Sequence, residues 1–397
     1  MASMNYTVED LNAEVTKHLY INTGILLLYL FLGTFGNTIV LYIYARKMKR
    51  SEEKYFIPAL AIADIFACVA GVSLGVVSNF HRANYTLEIF CKVGYFLTWA
   101  TTTVSGIIIL LISLNRHLLI CRSTGPQLDM TKKRRALISV VIISLVTSTP
   151  MLYFLGERHY PFVYHGQLIT TTLCSLRFTD GTMHKVQLAY FAFEIFIALL
   201  NMILTFAFYI PVGVTIYQRL KGADIKAKFS KEKSEIFTVQ DDSHTTDDLS
   251  KHHTEISLCE ESVTLSKVLS SKDDNTSTCG QSKSYPKDNI KWDARDKSTS
   301  RKKNVKQRQA RYNFTMMFAT IIVFYVVSYI SSLVLMIIPG SNPAEFWFSK
   351  SPVELNFLVL LQRAFLLNNI VNPFIYSYFD LTFRKEVRKI VCSFISI

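Results

Sequence analysis

Phe56-Ile57-Pro58-Ala59-Leu60-Ala61-Ile62-Ala63-Asp64-Ile65-Phe66-Ala67-Cys68-Val69-Ala70-Gly71-Val72-Ser73-Leu74-Gly75-Val76-Val77-Ser78-Asn79 is one long apolar run with a single carboxylate at its middle. A helix needs about 20 apolar residues, at about 1.5 Å each, to cross a hydrocarbon layer about 30 Å thick. This run is therefore long enough to span a membrane, and the cost of burying Asp64 there marks it as a functional candidate. Six further blocks of the same kind flank it. The predicted spans are Ile21 to Ala45, Phe56 to Asn79, Val93 to Leu119, Ala136 to Leu155, Leu188 to Tyr217, Tyr312 to Ile338 and Phe357 to Phe379. Half of the residues are hydrophobic and only 18% are charged, which is too apolar for a soluble chain of 397 residues. The first block is longer than the apolar region of a secretory signal and has no basic flank before it, so it reads as a retained span.

A formal net charge of +13 raises the question of nucleic acid. The cations, however, gather in alternate loops: Arg46, Lys47, Lys49, Arg50 and Lys54; Lys132 to Arg135; Arg301 to Arg311; and Arg384 to Lys389. That pattern is the positive-inside signature of a membrane protein beside anionic lipid headgroups, and nucleic-acid binding is not expected. These loops are then cytoplasmic, and seven spans put the N-terminus outside. Asn5-Tyr6-Thr7 and Asn84-Tyr85-Thr86 fall on the outer side as glycan acceptors, whereas Asn275 and Asn313, in similar tripeptides, should stay bare.

The expected organisation is an extracellular N-terminus over 1–20, transmembrane helices 1–5 over 21–220 and a third cytoplasmic loop over 221–311. Helices 6 and 7 follow over 312–379, then an amphipathic helix and C-terminal tail over 380–397. The loop is rich in Ser, Thr, Asp and Lys and poor in aromatics, a composition that cannot offset its ordering entropy, so disorder is expected there. Ser243 to Thr246 and Ser298 to Ser300 are candidate phosphorylation sites, beside the plain reading of a solvated spacer. From Leu381 to Val391, Leu381, Phe383, Val387, Ile390 and Val391 share one face and cations the other, which predicts a helix lying on the inner leaflet. Cys392 beside it is a candidate for palmitoylation. The fold class is thus an all-α membrane protein, a seven-transmembrane helix bundle with an amphipathic eighth helix.

Polar groups in hydrocarbon cost several kcal/mol unless paired, so those within spans are informative. Asn37 follows Gly36 in span one, Ser105 lies mid-span three, and Asn368, Asn369 and Asn372 line span seven ahead of Pro373. Helical spacing lets Asn368 and Asn372 share a face, so that they can form a polar cavity with Asp64. Arg116 closes span three in Asn115-Arg116-His117. Alone it would read as a snorkelling anchor.

Taken together, these residues resemble the rhodopsin-like (class A) G-protein-coupled receptors. The resemblance rests on Gly36-Asn37, Leu60 to Asp64, Cys91 opening span three, Arg116 twenty-five residues later, Pro211 in span five, Asn372-Pro373-Phe374-Ile375-Tyr376, and Phe383. It covers all seven spans in order. It implies a disulfide between Cys91 and Cys174 over the pocket, with Cys68, Cys121, Cys259, Cys279 and Cys392 outside any disulfide. It implies a sodium site at Asp64, Ser105, Asn368, Asn369 and Asn372, against the alternative of a water-filled network, and no other metal or cofactor. It also implies a G-protein switch of Asn115, Arg116, His117, Tyr217, Pro373 and Tyr376, acting by a population shift.

Several positions depart from the family's pattern. Asn115 and His117 replace an acid and a Tyr beside Arg116, and Ala310 offers no acid on span six, so a weaker resting lock and raised basal signalling are expected. Span six reads Phe324-Tyr325-Val326-Val327-Ser328-Tyr329-Ile330, without the family's Trp and kinking Pro. Span four lacks its Trp near Val140 but keeps Pro150, and Tyr217 follows Pro211 by six residues where relatives have eight.

For the ligand, Thr98 stands where amine receptors carry an Asp, and no Lys lies between Phe357 and Phe379 to hold retinal. The second outer loop, from about Gly156 to Gln187, contains Leu168-Ile169-Thr170-Thr171-Thr172-Leu173-Cys174-Ser175-Leu176-Arg177-Phe178, a β-prone run with a turn signal at Thr179 to Gly181. It resembles the hairpin of peptide receptors, so a peptide, specifically a neuropeptide, is the first expectation, with a lipid or another non-amine small molecule as the alternative. The expected pocket is Tyr95, Thr98, Trp99, Thr102, Glu194, Tyr329 and Arg363. Of these, packing is the plainer reading for all but the charged Glu194 and Arg363. Expected partners are the extracellular ligand, a heterotrimeric G protein, arrestin, receptor kinases and membrane lipids, at the plasma membrane. Neither the repeated halves of a transporter nor the catalytic set of an intramembrane enzyme is visible.

Overall fold

The computed structural model describes residues 5–48, 54–122, 127–241, 290–340 and 342–395. Lys49, Arg50, Ser243 to Thr246, Cys259, Asn275 and Cys279 lie outside them. The chain divides into a bundle, formed by 1–219 and 308–397, and a second unit over 220–307. In the second unit, helix runs from the bundle side to Asp241 and begins again at Ile290.

Five of the expected spans appear as single long helices. They are α3 (Ile57–Phe80), α4 (Glu88–Ile120), α5 (Met130–Ser148), α7 (Gly181–Asp241) and α8 (Ile290–Ile337). Three lie near their predicted bounds, while α7 continues 24 residues past Tyr217 and α8 begins 22 residues before Tyr312. Span one is α2 (Tyr20–Tyr42), whose last turn widens into a π-helical turn over Ile43–Lys47. Span four closes at Pro150 with a short turn, α6 (Met151–Phe154). Their outward faces are apolar: Ile21, Phe31, Phe66, Ile142, Phe196, Ile203 and Val327 are all exposed, as lipid-facing residues of a bundle must be. The main core packs Val40, Leu60, Ile109, Ile112, Met202, Phe318, Ile322, Tyr325 and Tyr376 at the centre.

Span seven departs from a single rod. It is a pair, α10 (Pro352–Gln362) and α11 (Phe365–Phe379), bent by 66° at Arg363 and Ala364. At the break the amide of Phe365 donates to Ser332 Oγ of α8 at 3.1 Å, so the irregular backbone is satisfied by a neighbour. After α11, α12 (Leu381–Ile395) is amphipathic, with Phe383 buried against Tyr44 and Tyr376 while Leu381 and Val391 stay exposed.

The loop after span four forms a hairpin of two ten-residue strands, β1 (Leu155–Tyr164) and β2 (Gln167–Leu176), paired antiparallel from Leu155 with Leu176 to Tyr164 with Gln167. Its turn is His165-Gly166, both at positive φ (46° and 78°), a two-residue connection whose twist matches the strands. The expected turn at Thr179 to Gly181 falls not within the hairpin but between β2 and α7, with a bend at Asp180 and Gly181 at φ 68° beginning α7. Two further elements were not expected. The helix α1 (Val8–His18) starts with a capping box between Thr7 and Asp10 and packs Leu11 and Val15 inward. The helix α9 (Pro343–Phe348), capped by Asn342, buries Ala344 and Trp347.

Candidate functional site

The polar residues of spans two, three and seven meet at the bundle centre. Asp64 is fully buried; its Oδ1 accepts from Ser105 Oγ at 2.6 Å and its Oδ2 from Asn372 Nδ2 at 2.6 Å. Asn37 Nδ2 donates to the main-chain carbonyls of Asn369 (2.7 Å) and Gly33 (2.9 Å), tying span one to the same layer. Asn368 Nδ2 reaches Asn369 Oδ1 at 3.4 Å. Three amide oxygens, Asn37 Oδ1, Asn368 Oδ1 and Asn372 Oδ1, are buried with no hydrogen-bond partner. Buried acceptors left open beside a carboxylate are what a hard cation uses, and among the described residues no cluster of His, Cys, Asp and Glu offers a different metal chemistry.

At one end of this layer Arg116 is buried with its guanidinium 4.3 Å from the Phe314 ring centroid and 5.2 Å from that of Phe318, both on α8. Asn115 is buried beside it, and the His117 ring faces Phe208 at 5.8 Å. Tyr217 is 66% exposed. It is Tyr209, two residues before Pro211, that turns inward: it lies within electrostatic range of Arg116 and donates to the Thr315 carbonyl. Tyr376 is buried with its ring 5.6 Å from Tyr44 and 6.2 Å from Phe383, and the Pro373 ring fills the space that Gly36 leaves open. Sequence reasoning missed Tyr209 because the spacing from Pro211 pointed downstream.

The same end carries a second unforeseen group. Asp380, between α11 and α12, accepts from Lys54 Nζ at 2.7 Å, Tyr44 OH at 2.8 Å and the amides of Thr382 (2.9 Å) and Phe383 (3.2 Å). Burial pushes its carboxyl up, but the Lys54 ammonium and the other donors outweigh that and hold it below the usual carboxylate range.

Toward the hairpin end, the disulfide expected between Cys91 and Cys174 is present, with Cα atoms 5.7 Å apart, and fixes β2 to the start of α4. The candidate pocket residues sit beneath it but not as one cluster. Trp99 Nε1 donates to Glu194 Oε2 at 2.8 Å, joining α4 to α7. Tyr329 OH donates to the Thr102 carbonyl at 3.1 Å, and its ring lies 4.7 Å from Tyr325, whose hydroxyl reaches Asn201 Oδ1 at 3.0 Å. This tyrosine pair occupies the part of span six where the Trp and Pro are missing. Tyr95 is half-buried and packs near the disulfide, and Thr98 is buried. Arg363, at the elbow of span seven, is buried and bonded to Asn22 and Asn79, both at 2.9 Å.

Of the residues expected to be modified, Asn5 is exposed, while Asn84 is partly buried, with Nδ2 3.4 Å from Glu9. Cys392 is exposed on α12, and Cys68 and Cys121 stay outside any disulfide. Around α1 and the hairpin a cavity of about 350 Å³ is lined by Leu11, Val15, Phe162, Trp347 and Leu355 with Glu14 at its rim.

The family described as 7 transmembrane receptor (rhodopsin family) matches residues 36–376. Among curated proteins the chain is 27% identical over 219 residues to "Rhodopsin, GQ-coupled" of Mizuhopecten yessoensis, covering 52% of this chain and 42% of that one. It is 26% identical over 159 residues to neurotensin receptor type 1 of Homo sapiens (38% of each). It is 25% identical over 198 residues to neuropeptide Y receptor type 4 of Mus musculus (48% and 50%). The chain thus spans about half, or less, of the length of the curated relatives it matches. Among solved structures, squid rhodopsin aligns over 94% of this chain and 85% of its own, with TM-score 0.57 and 16% identity, a likeness of fold.

Proposed function

Because the chain belongs to the rhodopsin family of seven-transmembrane receptors, which are not enzymes, we propose that it is a plasma-membrane receptor that binds an extracellular ligand and activates a heterotrimeric G protein. The observation that carries the reading is one bundle holding both a buried carboxylate network at Asp64 and a buried guanidinium, Arg116, laid on rings of α8. Neither group stabilises a hydrocarbon-embedded fold cheaply, and together they suit a bundle with two packings. The hairpin end faces outside, with Asn5 and Asn84 available to glycosylation, and the Arg116 end faces the cytosol.

In the switch, Arg116, Asn115, His117, Tyr209, Pro373 and Tyr376 lie around the end of α4 and α8, with Tyr217 on the rim. Displacing α8 would lift Phe314 and Phe318 off Arg116 and open a cleft for the terminal helix of the G protein; arrestin and receptor kinases would read the same open state. Asp64, Ser105, Asn368, Asn369 and Asn372 would hold a sodium ion, which supplies charge neutralisation to the closed packing. Cys392 on α12 is a site for palmitoylation at the inner leaflet.

For the ligand, we favour a peptide. A hairpin of two ten-residue strands, tethered at Cys174, is of the kind peptide receptors carry, and receptors named for neurotensin and neuropeptide Y are among the similar proteins. Two similar proteins are named "Rhodopsin, GQ-coupled" and "Melanopsin-B", yet span seven of this chain carries no Lys from Phe357 to Phe379 for a retinal Schiff base. A lipid or another non-amine small molecule is the second reading, favoured by how much of the mouth α1 and the hairpin cover. Purified receptor reconstituted with a panel of heterotrimers tests the coupling: stimulus-dependent acceleration of guanine-nucleotide release is expected from at least one, and none from any would overturn it. Screening peptide and lipid libraries in the same assay separates the two ligand classes.

A further inference from the structure

Arg363 and Arg82 hold two cationic side chains near the hairpin-end mouth of the bundle, and among the described residues no carboxylate pairs with either. The Arg363 side chain is 7% exposed, and its one described set of partners is neutral: Nη1 donates to Asn22 Oδ1 and Asn79 Oδ1. Those amides are fixed in turn, since Asn79 Nδ2 donates to Asn22 Oδ1 (3.1 Å) and Thr23 Oγ1 (3.0 Å). The arrangement orients the guanidinium but leaves its charge uncompensated, with Nε and Nη2 unpaired among the described residues. Room is kept for it by Gly75, where a Cβ would stand 3.3 Å from Nε.

Arg82, in the loop after α3, stacks its guanidinium 4.5 Å over the Trp347 ring and makes no described hydrogen bond. It lies within electrostatic range of Arg363, and Tyr95 lies within range of both. Burial pushes the Arg82 guanidinium down to about 10, with the Tyr95 phenol opposing. Among the described residues the ion pairs are elsewhere, at Lys54, Lys92 and Lys389. Two half-dry cations of like sign in one region raise each other's cost of burial. A planar guanidinium with two open donors matches the paired oxygens of a carboxylate or phosphate.

We infer that Arg363 and Arg82 form an anion-binding subsite at the mouth of the pocket, which takes a carboxylate or phosphate group of the ligand. The inference rests on the receptor reading and deepens it: the ligand carries an acidic end, delivered past Trp347 and seated against the elbow of span seven.

The test uses the full chain in lipid nanodiscs and tryptophan fluorescence, because Arg82 lies on Trp347. The probes are N-acetyl-Leu-Phe as free acid and as amide, and hexyl phosphate beside hexanol. Saturable binding of at least one anionic probe is expected, about tenfold or more tighter than its neutral partner, and lost by about tenfold or more in both Arg82→Gln and Arg363→Gln. Arg363→Lys, which keeps the charge, should retain part of it, and Trp347→Phe should remove the signal. Which anion binds reports whether a peptide terminus or a phosphate headgroup is the source. Equal binding of the neutral probes, no binding of either anion, or unchanged affinity in Arg82→Gln overturns the subsite. Arg82 lies outside the spans and anchors nothing by hydrogen bond, so that variant decides the matter even if Arg363→Gln does not fold. No G protein is present, so nucleotide release measured separately tells failure of the subsite from failure of the receptor reading.

Discussion

Replacing Asp380 with Asn removes one charge and almost nothing else, so it isolates what holds α12 to the bundle. In the native protein this carboxylate is 6% exposed and gathers Lys54, Tyr44 and two amides of the first turn of α12. Asn keeps the shape and an oxygen able to cap that turn, but leaves the Lys54 ammonium, 24% exposed, facing a neutral amide between the Tyr44 and Phe314 rings. A charge-assisted bond lost from a largely buried site costs about 1.5–3 kcal/mol, and Asp380→Ala should cost about 1 kcal/mol more because the cap goes too. Changing Lys54→Met as well should recover part of the loss, with a coupling of roughly 0.5–3 kcal/mol. The same group sets a pH dependence. Its folded pKa lies below the unfolded value near 3.8, so its contribution is fully present above that value and disappears as the pH falls through the folded one. Thermal unfolding of purified receptor at neutral and acid pH measures both effects. An Asp380→Asn protein as stable as the wild type at neutral pH, or a loss that Lys54→Met leaves unchanged, refutes the reasoning.

Asp64→Asn should abolish any dependence of nucleotide release on sodium while potassium has no effect in either protein; an unaltered sodium response would remove the ion from that layer. Asn115→Asp should lower basal nucleotide release, since a carboxylate beside Arg116 adds a charge partner in the closed packing, and basal release equal to or above wild type counts against it. Gly36→Ala would place a Cβ 2.8 Å from Pro373 Cγ, a rigid ring atom that cannot rotate away. It should cost about 1–3 kcal/mol by overpacking, read as an earlier thermal transition, and a neutral result would show that spans one and seven separate more readily than their contact suggests.

Composition and periodicity made the bundle legible, because a lipid-facing helix must be apolar over its whole length and the signal is therefore long. The Asp64 layer was legible for a related reason: polar groups in hydrocarbon are costly, so Ser105 and Asn372 could be paired with it before any distance was known. What escaped was set by short or non-local effects. The capping box of Thr7 and Asp10 was present in the sequence but brief, and the two-residue His165-Gly166 turn carries too short a signal to stand out beside the strands it joins. Asp380 was not singled out because its partners, Lys54 and Tyr44, are more than three hundred residues away in the chain. The tyrosine pair of span six had no pattern to be read from, since it fills a place the family gives to other residues.

The elbow at Arg363 leaves the Phe365 amide without a helical acceptor, and Ser332 of α8 supplies one. Spans six and seven are consequently yoked at a single hinge pin: the upper part of α8 cannot slide along its axis without either pulling on the bend or stranding a backbone donor in hydrocarbon. Movement of the bend is thereby coupled to the helix that lays Phe314 and Phe318 over Arg116.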